Sequence, residues 1–407
     1  MRWNVAGLQW RPIFLINVPV GLAAIAAGWF VLRESRPPAA PRLDPVGVLL
    51  AIASVLMLVY PLTEGRSLGW PVWTFLLMAG SVLVLALLVG YERRRTRTVG
   101  SPLVVLGLFR ARTFTAGLVV WLIFWVALGG FFLVWTLYLQ VGLGWTPLRA
   151  GLTAVSFAGG ATAGSGLSVQ LLTPRFGRLV LMAGAVLNAA GFGGYALIGH
   201  HYGPAIHSWQ MVPPLVVAGF GFGLVVAPMV DAILTGVPVR DAGSASGLLS
   251  TVQQAGMALG VALVGVIFFT LLADDSGRGV NAVAPGVHRE LGAIGVPASD
   301  QDRIVAGLKA CVHDRSAATD PTTVPASCRA GSAGPHAAQV RQVLDRAGVQ
   351  ANAQNFARTF AATLWYAVGI LVAVLLGLFG LPRRVRSRDL DAELATLPKQ
   401  RRTPTSV

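Results

Sequence analysis

Asp231 is the one Asp, Glu, Lys, Arg or His that falls inside a long apolar stretch of this chain. A charge at mid-bilayer costs at least ~2.5–3.5 kcal/mol, so an acid in such a stretch is a functional candidate by default. Burial favours the neutral form of a carboxyl, the property a proton-coupled carrier uses. Pro228, one turn earlier, frees the carbonyl of Leu224 and would give a helix a kink and a polar spot. The plainer reading puts Asp231 about one turn from the inner end of its helix, where it reaches water. Asn17, Gln140, Gln170, Gln253 and Gln254 are uncharged polar groups in or beside apolar stretches. They could line a path for amphipathic molecules, or hydrogen-bond between helices for ~0.6–2 kcal/mol each.

Other chemistries find no residues to carry them. Paired carboxylates, a His/Ser set and an Asp-rich diphosphate site at a membrane face are all missing from the sequence, so no catalytic residue is assigned and an enzyme is not expected. Two cysteines are too few for a metal or iron–sulfur framework. Gly219-Phe220-Gly221-Phe222-Gly223 has neither the preceding strand nor the acidic partner of a dinucleotide fingerprint.

The elements that must position these residues follow from composition. Of the 407 residues 54% are hydrophobic and 12% charged, with a mean hydropathy of +0.65. Soluble domains carry about 25% charged residues, so a water-soluble enzyme is excluded, and so is disorder. The net charge of +15 does not cluster on one face as nucleic-acid binding requires. Instead it sits in short runs: Arg93, Arg94, Arg95 and Arg97, then Arg383, Arg384, Arg386 and Arg388. Anionic lipid at ~1 kcal/mol per charge accounts for these runs. The expected partner is the lipid bilayer, with no nucleic acid.

A span needs about 20 apolar residues in helix. Nine stretches qualify: 13–32, 46–62, 72–90, 116–138, 151–172, 179–198, 212–234, 247–272 and 360–381. With the N-terminus outside, the inner segments hold 19 basic residues and the short outer segments 4. The positive-inside rule therefore predicts an N-out, C-in, all-α polytopic protein of about nine helices. Trp3, Trp10, Trp70, Trp73, Trp145 and Trp209 fall in or beside the outer segments, as an interfacial belt would. The pairs Gly160/Gly164, Gly219/Gly223, Gly243/Gly247 and Gly256/Gly260 predict close helix packing. Residues 273–359 form an outer loop with short amphipathic helices expected at 299–308 and 337–347. Cys311 and Cys328 both fall in it, where disulfides persist, and a bridge between them would contribute ~3 kcal/mol to local order.

Several segments resemble a known family. Trp10-Arg11-Pro12-Ile13-Phe14-Leu15-Ile16-Asn17-Val18-Pro19-Val20-Gly21 resembles the start of the sixth helix in the 14-helix drug:proton antiporter branch of the major facilitator superfamily. Leu43-Asp44-Pro45-Val46-Gly47 is similar to the start of its seventh helix. Tyr138-Leu139-Gln140 with Gly144-Trp145-Thr146-Pro147-Leu148-Arg149-Ala150-Gly151 resembles the link between the ninth and tenth. Asp241-Ala242-Gly243-Ser244-Ala245-Ser246-Gly247, with Gln254 and Gly256, resembles the start of the thirteenth. At Leu172-Thr173-Pro174-Arg175-Phe176-Gly177-Arg178 a loop motif is echoed, with Pro174 where the family has Asp.

The resemblance implies a plasma-membrane efflux permease that exports small hydrophobic or amphipathic compounds, antibiotics among them, driven by the proton gradient without a cofactor. It implies that 1–32 is the last helix of an N-terminal bundle and 33–113 two linker helices with a basic cytoplasmic loop. Residues 114–272 would be the first five helices of a C-terminal six-helix bundle, 273–359 an extracellular loop, 360–381 the last span and 382–407 a basic cytoplasmic tail. On that reading five N-terminal helices are absent and the chain as written would not transport alone. The alternative is an N-terminally truncated membrane remnant or scaffold.

Overall fold

Apolar stretches that satisfy their own backbone hydrogen bonds become helices, here of 15 to 43 residues. The computed structural model describes residues 15, 17–31, 44–65, 68–98, 103–235, 237–318, 324–328 and 336–380. Most of the segment 10–16, the linker 32–43 and the basic tail from 381 lie outside the described residues. The helices are α1 (Asn17–Val31), α2 (Pro45–Glu64), α3 (Val72–Thr98), α4 (Arg112–Leu137), α5 (Pro147–Leu167) and α6 (Arg178–Tyr202). They continue with α7 (Ser208–Leu234), α8 (Ala242–Asp274), α9 (Ser276–Ala293), α10 (Ala298–Ala317) and α11 (Ala337–Phe379). No strand occurs among the described residues.

Seven helical stretches among the described residues are long and apolar enough to cross a bilayer: those of α2, α3, α4, α6, α7, α8 and α11. The described part of the stretch expected at 13–32 is α1, whose 15 residues bury no side chain. The stretch expected at 151–172 is α5 and a following π-turn, Ser168–Leu172. Gly, Ser and Thr make up nine of the 21 residues of α5, which lowers its apolarity below that of the seven. It nonetheless lies lengthwise on α7.

The packing forms a row, α5–α7–α4–α8, backed by α6 on α7 and α11 on both α4 and α6. The helical hairpin α2–α3 joins it through α2 on α8. Contacts fix the directions: Leu122 meets Gly256 and Val126 meets Gly260, so α4 and α8 run parallel. Gly117 meets Ile233 and Phe124 meets Phe222, so α7 runs against α4, and Gly160 on Val216 with Gly164 on Phe220 makes α5 parallel to α7. One end of the bundle carries Arg112, Arg175, Arg178 and Arg240; the other carries α9 and α10.

Glycine is what lets the row close. At Gly160, Gly164, Gly219 and Gly223 an added methyl would overlap backbone atoms of the facing helix between α5 and α7. Gly260 meets the Val126 carbonyl of α4 in the same way, with Gly256 beside Leu122. The pair Gly243/Gly247 departs from the expectation, since a Cβ added at either would meet nothing of another element within 4 Å. Those two glycines occupy the face of α8 that turns away from α4, whereas Ala245 and Leu249 turn inward and are buried. Large aromatics fill the remaining core, with Phe131 stacked on Phe192 at 4.2 Å and Tyr138 on Phe360 at 4.4 Å.

Residues 273–359, expected as a loop with two short helices, are instead a helical cap. The stretch 299–308 is the first half of α10, and 337–347 is the start of α11, which runs unbroken into the apolar stretch beyond residue 360. Helix α9 lies outside the expectation altogether. Val280, Val287 and Leu291 of α9 close a second core with Leu308 and Val312 of α10 and Val340 and Val343 of α11. Their three- and four-residue spacing is amphipathic, but the intervening Gly, Arg and Glu keep the segment far from membrane-like apolarity. Cys311 of α10 is joined to Cys328 of the turn Ala326–Cys328, with Cα atoms 4.7 Å apart. Arg346 of α11 pairs with Glu290 of α9 at 2.9 Å.

Candidate functional site

Three of the family-like segments have a local structural job. In the link between α4 and α5, the π-turn Tyr138–Gly142 leads to Gly144, whose φ of +64° suits a residue without a Cβ. The Thr146 side chain then caps α5 by accepting from the Arg149 N–H at 3.3 Å, with Pro147 at the first helical position. At the start of α8, the Ser244 hydroxyl donates to the Leu103 carbonyl at 2.7 Å and accepts from the Val105 N–H at 3.2 Å. That serine ties α8 to the segment that leads into α4. The Leu103 N–H in turn donates to the carboxylate of Glu92, a fully buried residue of α3, at 3.1 Å. In the segment 172–178, Gly177 takes φ +54° and Arg178 donates to the Phe379 carbonyl at 3.2 Å, bonding the end of α11.

The polar candidates do not converge on one point. Asp231 is exposed, one turn from the end of α7, at the arginine-bearing end of the bundle. Its backbone carbonyl accepts from the Thr235 hydroxyl at 2.6 Å. Gln254 is exposed and Gln253 half-buried in the first half of α8, at that same end. Gln140 is exposed in the π-turn after α4, at the opposite end, and Gln170 is exposed in the π-turn after α5. Asn17 is exposed at the start of α1.

What the structure does assemble is an open polar face on each outer helix of the row. On α8, Gly243, Gly247, Ser250, Thr251 and Gln254 are exposed. On α5, Gly151, Gly159, Thr162 and Gly166, with Gln170 in the π-turn that follows, are exposed, and a Cβ added at any of the three glycines would meet nothing within 4 Å. Between these helices α4 and α7 meet through Phe124, Trp125 and Phe222, with Phe222 5.8 Å from Phe124 and 5.9 Å from Trp125. The buried indole N–H of Trp125 has no hydrogen-bond partner among the described residues. Phe124 is fully buried and Trp125 nearly so, so these rings are core packing between α4 and α7, while the two open faces lie on the outward sides of α5 and α8.

Sequence reasoning did not single out Trp125, Asn188 or Asn355. Asn188 is fully buried between α6 and α7 and donates to the Ala218 carbonyl at 2.7 Å. Asn355 is fully buried where α11 passes α8 and donates to the Leu272 carbonyl at 2.8 Å. A lone Asn in an apolar run carries no local signal of the helix it will meet.

The six helices α4 to α8 and α11 alternate in direction along the chain. Residues 3–261 match the family model of the Major Facilitator Superfamily. The chain belongs to the Major Facilitator Superfamily. It is a multi-pass protein of the plasma membrane. It is 36% identical over 387 residues to the probable actinorhodin transporter of Streptomyces coelicolor, covering 95% of this chain and 66% of that protein. It is 33% identical to the tetracenomycin C resistance and export protein of Streptomyces glaucescens, over 66% of this chain and 49% of that one. With the multidrug efflux pump LfrA of Mycolicibacterium smegmatis it shares 30% identity over 64% of this chain and 50% of the pump. The chain thus spans between about half and two-thirds of the length of these relatives.

Proposed function

We propose that these residues form part of a proton-driven efflux transporter for small amphipathic compounds of the antibiotic type. The observation that carries this reading is the 36% identity to a probable transporter over 95% of the chain, which takes in the cap as well as the bundle. We further assign the chain to helices six to fourteen of the 14-helix branch. In that scheme α1 is the sixth helix, α2 and α3 are linker helices, and α4 to α8 with α11 form the second bundle.

The basic-residue balance supports an N-out, C-in orientation with the cap outside. A reporter inserted near residue 300 is expected to read outside and one fused after Val407 to read cytoplasmic. The same side for both would overturn the orientation.

Asp231 is assigned the coupling role because no other charged residue occupies an apolar stretch. An acid in such a position is a functional candidate by default. Asp231→Asn should lower proton-driven efflux of an amphipathic dye from cells by at least about tenfold, since the amide carries no proton across the cycle. Membrane insertion and expression should be unchanged. Undiminished efflux in the variant would return Asp231 to a solvated helix end.

A further inference from the structure

At the cap end of the bundle, the first turns of α5 and α7 bound a crevice of about 370 Å³, within the range of small-molecule sites. Leu148 and Leu152 of α5 and Trp209 and Val212 of α7 give it apolar walls. The spacings 148/152 and 209/212 put each pair on one side of its helix. Trp209 is 69% exposed, so a flat aromatic face is offered rather than used in the core. The hydroxyls of Ser156 and Ser208 also line the space.

Arg149 is the one charged residue on the wall, and it is held in place. Its guanidinium lies 3.6 Å above the ring of the buried Trp145, and its Nε–H donates to the Ser208 hydroxyl at 3.3 Å. Trp145 is itself fixed by its backbone N–H on the Leu139 carbonyl at 2.9 Å. The two Nη groups have no partner among the described residues, and no carboxylate among those residues pairs with Arg149. A stacked guanidinium with a free edge is preorganised for a planar anion.

We propose that this crevice binds a flat amphipathic compound bearing a carboxylate or phenolate, with the anion on the Nη edge of Arg149 and the apolar body against Trp209 and Leu152. The proposal deepens the efflux reading, on which it rests for the identification of the bound compound as cargo leaving on the cap side. Binding itself needs no transport, so the two can be tested apart.

The probes are 1-naphthoate and its uncharged counterpart of the same shape, 1-naphthamide. Their binding is measured by equilibrium dialysis to the 407-residue chain in phosphatidylcholine nanodiscs, against empty nanodiscs. Arg149→Gln should weaken naphthoate about tenfold or more, as loss of charge-assisted hydrogen bonds predicts, and change naphthamide less than about twofold. Leu152→Trp fills the crevice without touching Arg149 and should weaken both probes. It keeps the test open if Arg149→Gln does not fold. Unchanged naphthoate binding in both variants, or equal loss of both probes in Arg149→Gln, would overturn the site. If Arg149-dependent binding holds while cells expressing the transporter export neither probe, the site stands and the efflux reading falls. Export that proceeds with naphthoate affinity untouched by Arg149→Gln would do the reverse.

Discussion

Gly223→Ala should lower the midpoint of thermal unfolding by about 2–12 °C, and Gly260→Ala by a similar amount. At Gly223 the added methyl would overlap the Ala161 carbonyl and the Ser165 N–H, and at Gly260 the Val126 carbonyl. These are backbone atoms of a facing helix, so no side chain can rotate away and the helices must separate. Overpacking of this kind costs about 1–3 kcal/mol or more, and each kcal/mol shifts the midpoint of a domain this size by about 2–4 °C. Gly243→Ala and Gly159→Ala are the controls, because nothing lies within 4 Å of either residue. They should stay within about 0.5 kcal/mol of the parent, or gain slightly from the better helix propensity of alanine. Size-exclusion profiles of detergent-solubilised protein after heating would report all four. Equal behaviour of the packed and open glycines would refute the row of close contacts.

Replacing both cysteines, Cys311→Ser with Cys328→Ser, should loosen the cap and leave the bundle intact. The bridge spans 17 residues, and closing a loop of that length is worth about 3 kcal/mol in the chain-entropy account. The cap depends on it more than the bundle would, because its core is small: Val280, Val287, Leu291, Leu308, Val312 and a few aliphatic residues of α11. Hydrogen exchange should therefore quicken in α9, α10 and the first turns of α11, by a factor of about a hundred if the full 3 kcal/mol is expressed in local opening. The amides of α4, sealed by Trp121, Phe124 and Phe131, should exchange as before. Unaltered exchange in α10 would show that its helix–helix contacts suffice without the bridge.

The membrane character of the protein was legible residue by residue. Long apolar runs have one stable solution in lipid, the helix, so 46–62, 72–90, 116–138, 179–198, 212–234 and 247–272 each mark a helix without knowledge of any neighbour. The short-spaced Gly160/Gly164, Gly219/Gly223 and Gly256/Gly260 likewise announced close packing, because only a missing Cβ permits backbone contact. The start of α5 is equally local, since its Thr146 cap and Pro147 act within four residues.

Tertiary structure alone decided the rest. Whether a Gly-x-x-x-Gly pair is packed or open depends on which side its partner helix lies, and that is why Gly243/Gly247 differs from Gly256/Gly260 on the same helix. Phe124 of α4 stacks on Phe222 of α7, and Arg149 is fixed by Ser208, residues far apart in the chain that no local periodicity relates. Asn188 finds the Ala218 carbonyl in the same way. The cap is the clearest case: valines and leucines too sparse to mark a span become a core only when α9, α10 and α11 are brought side by side. Hydropathy records what each segment must escape, water or lipid, while the partner it escapes to is set by packing between distant segments.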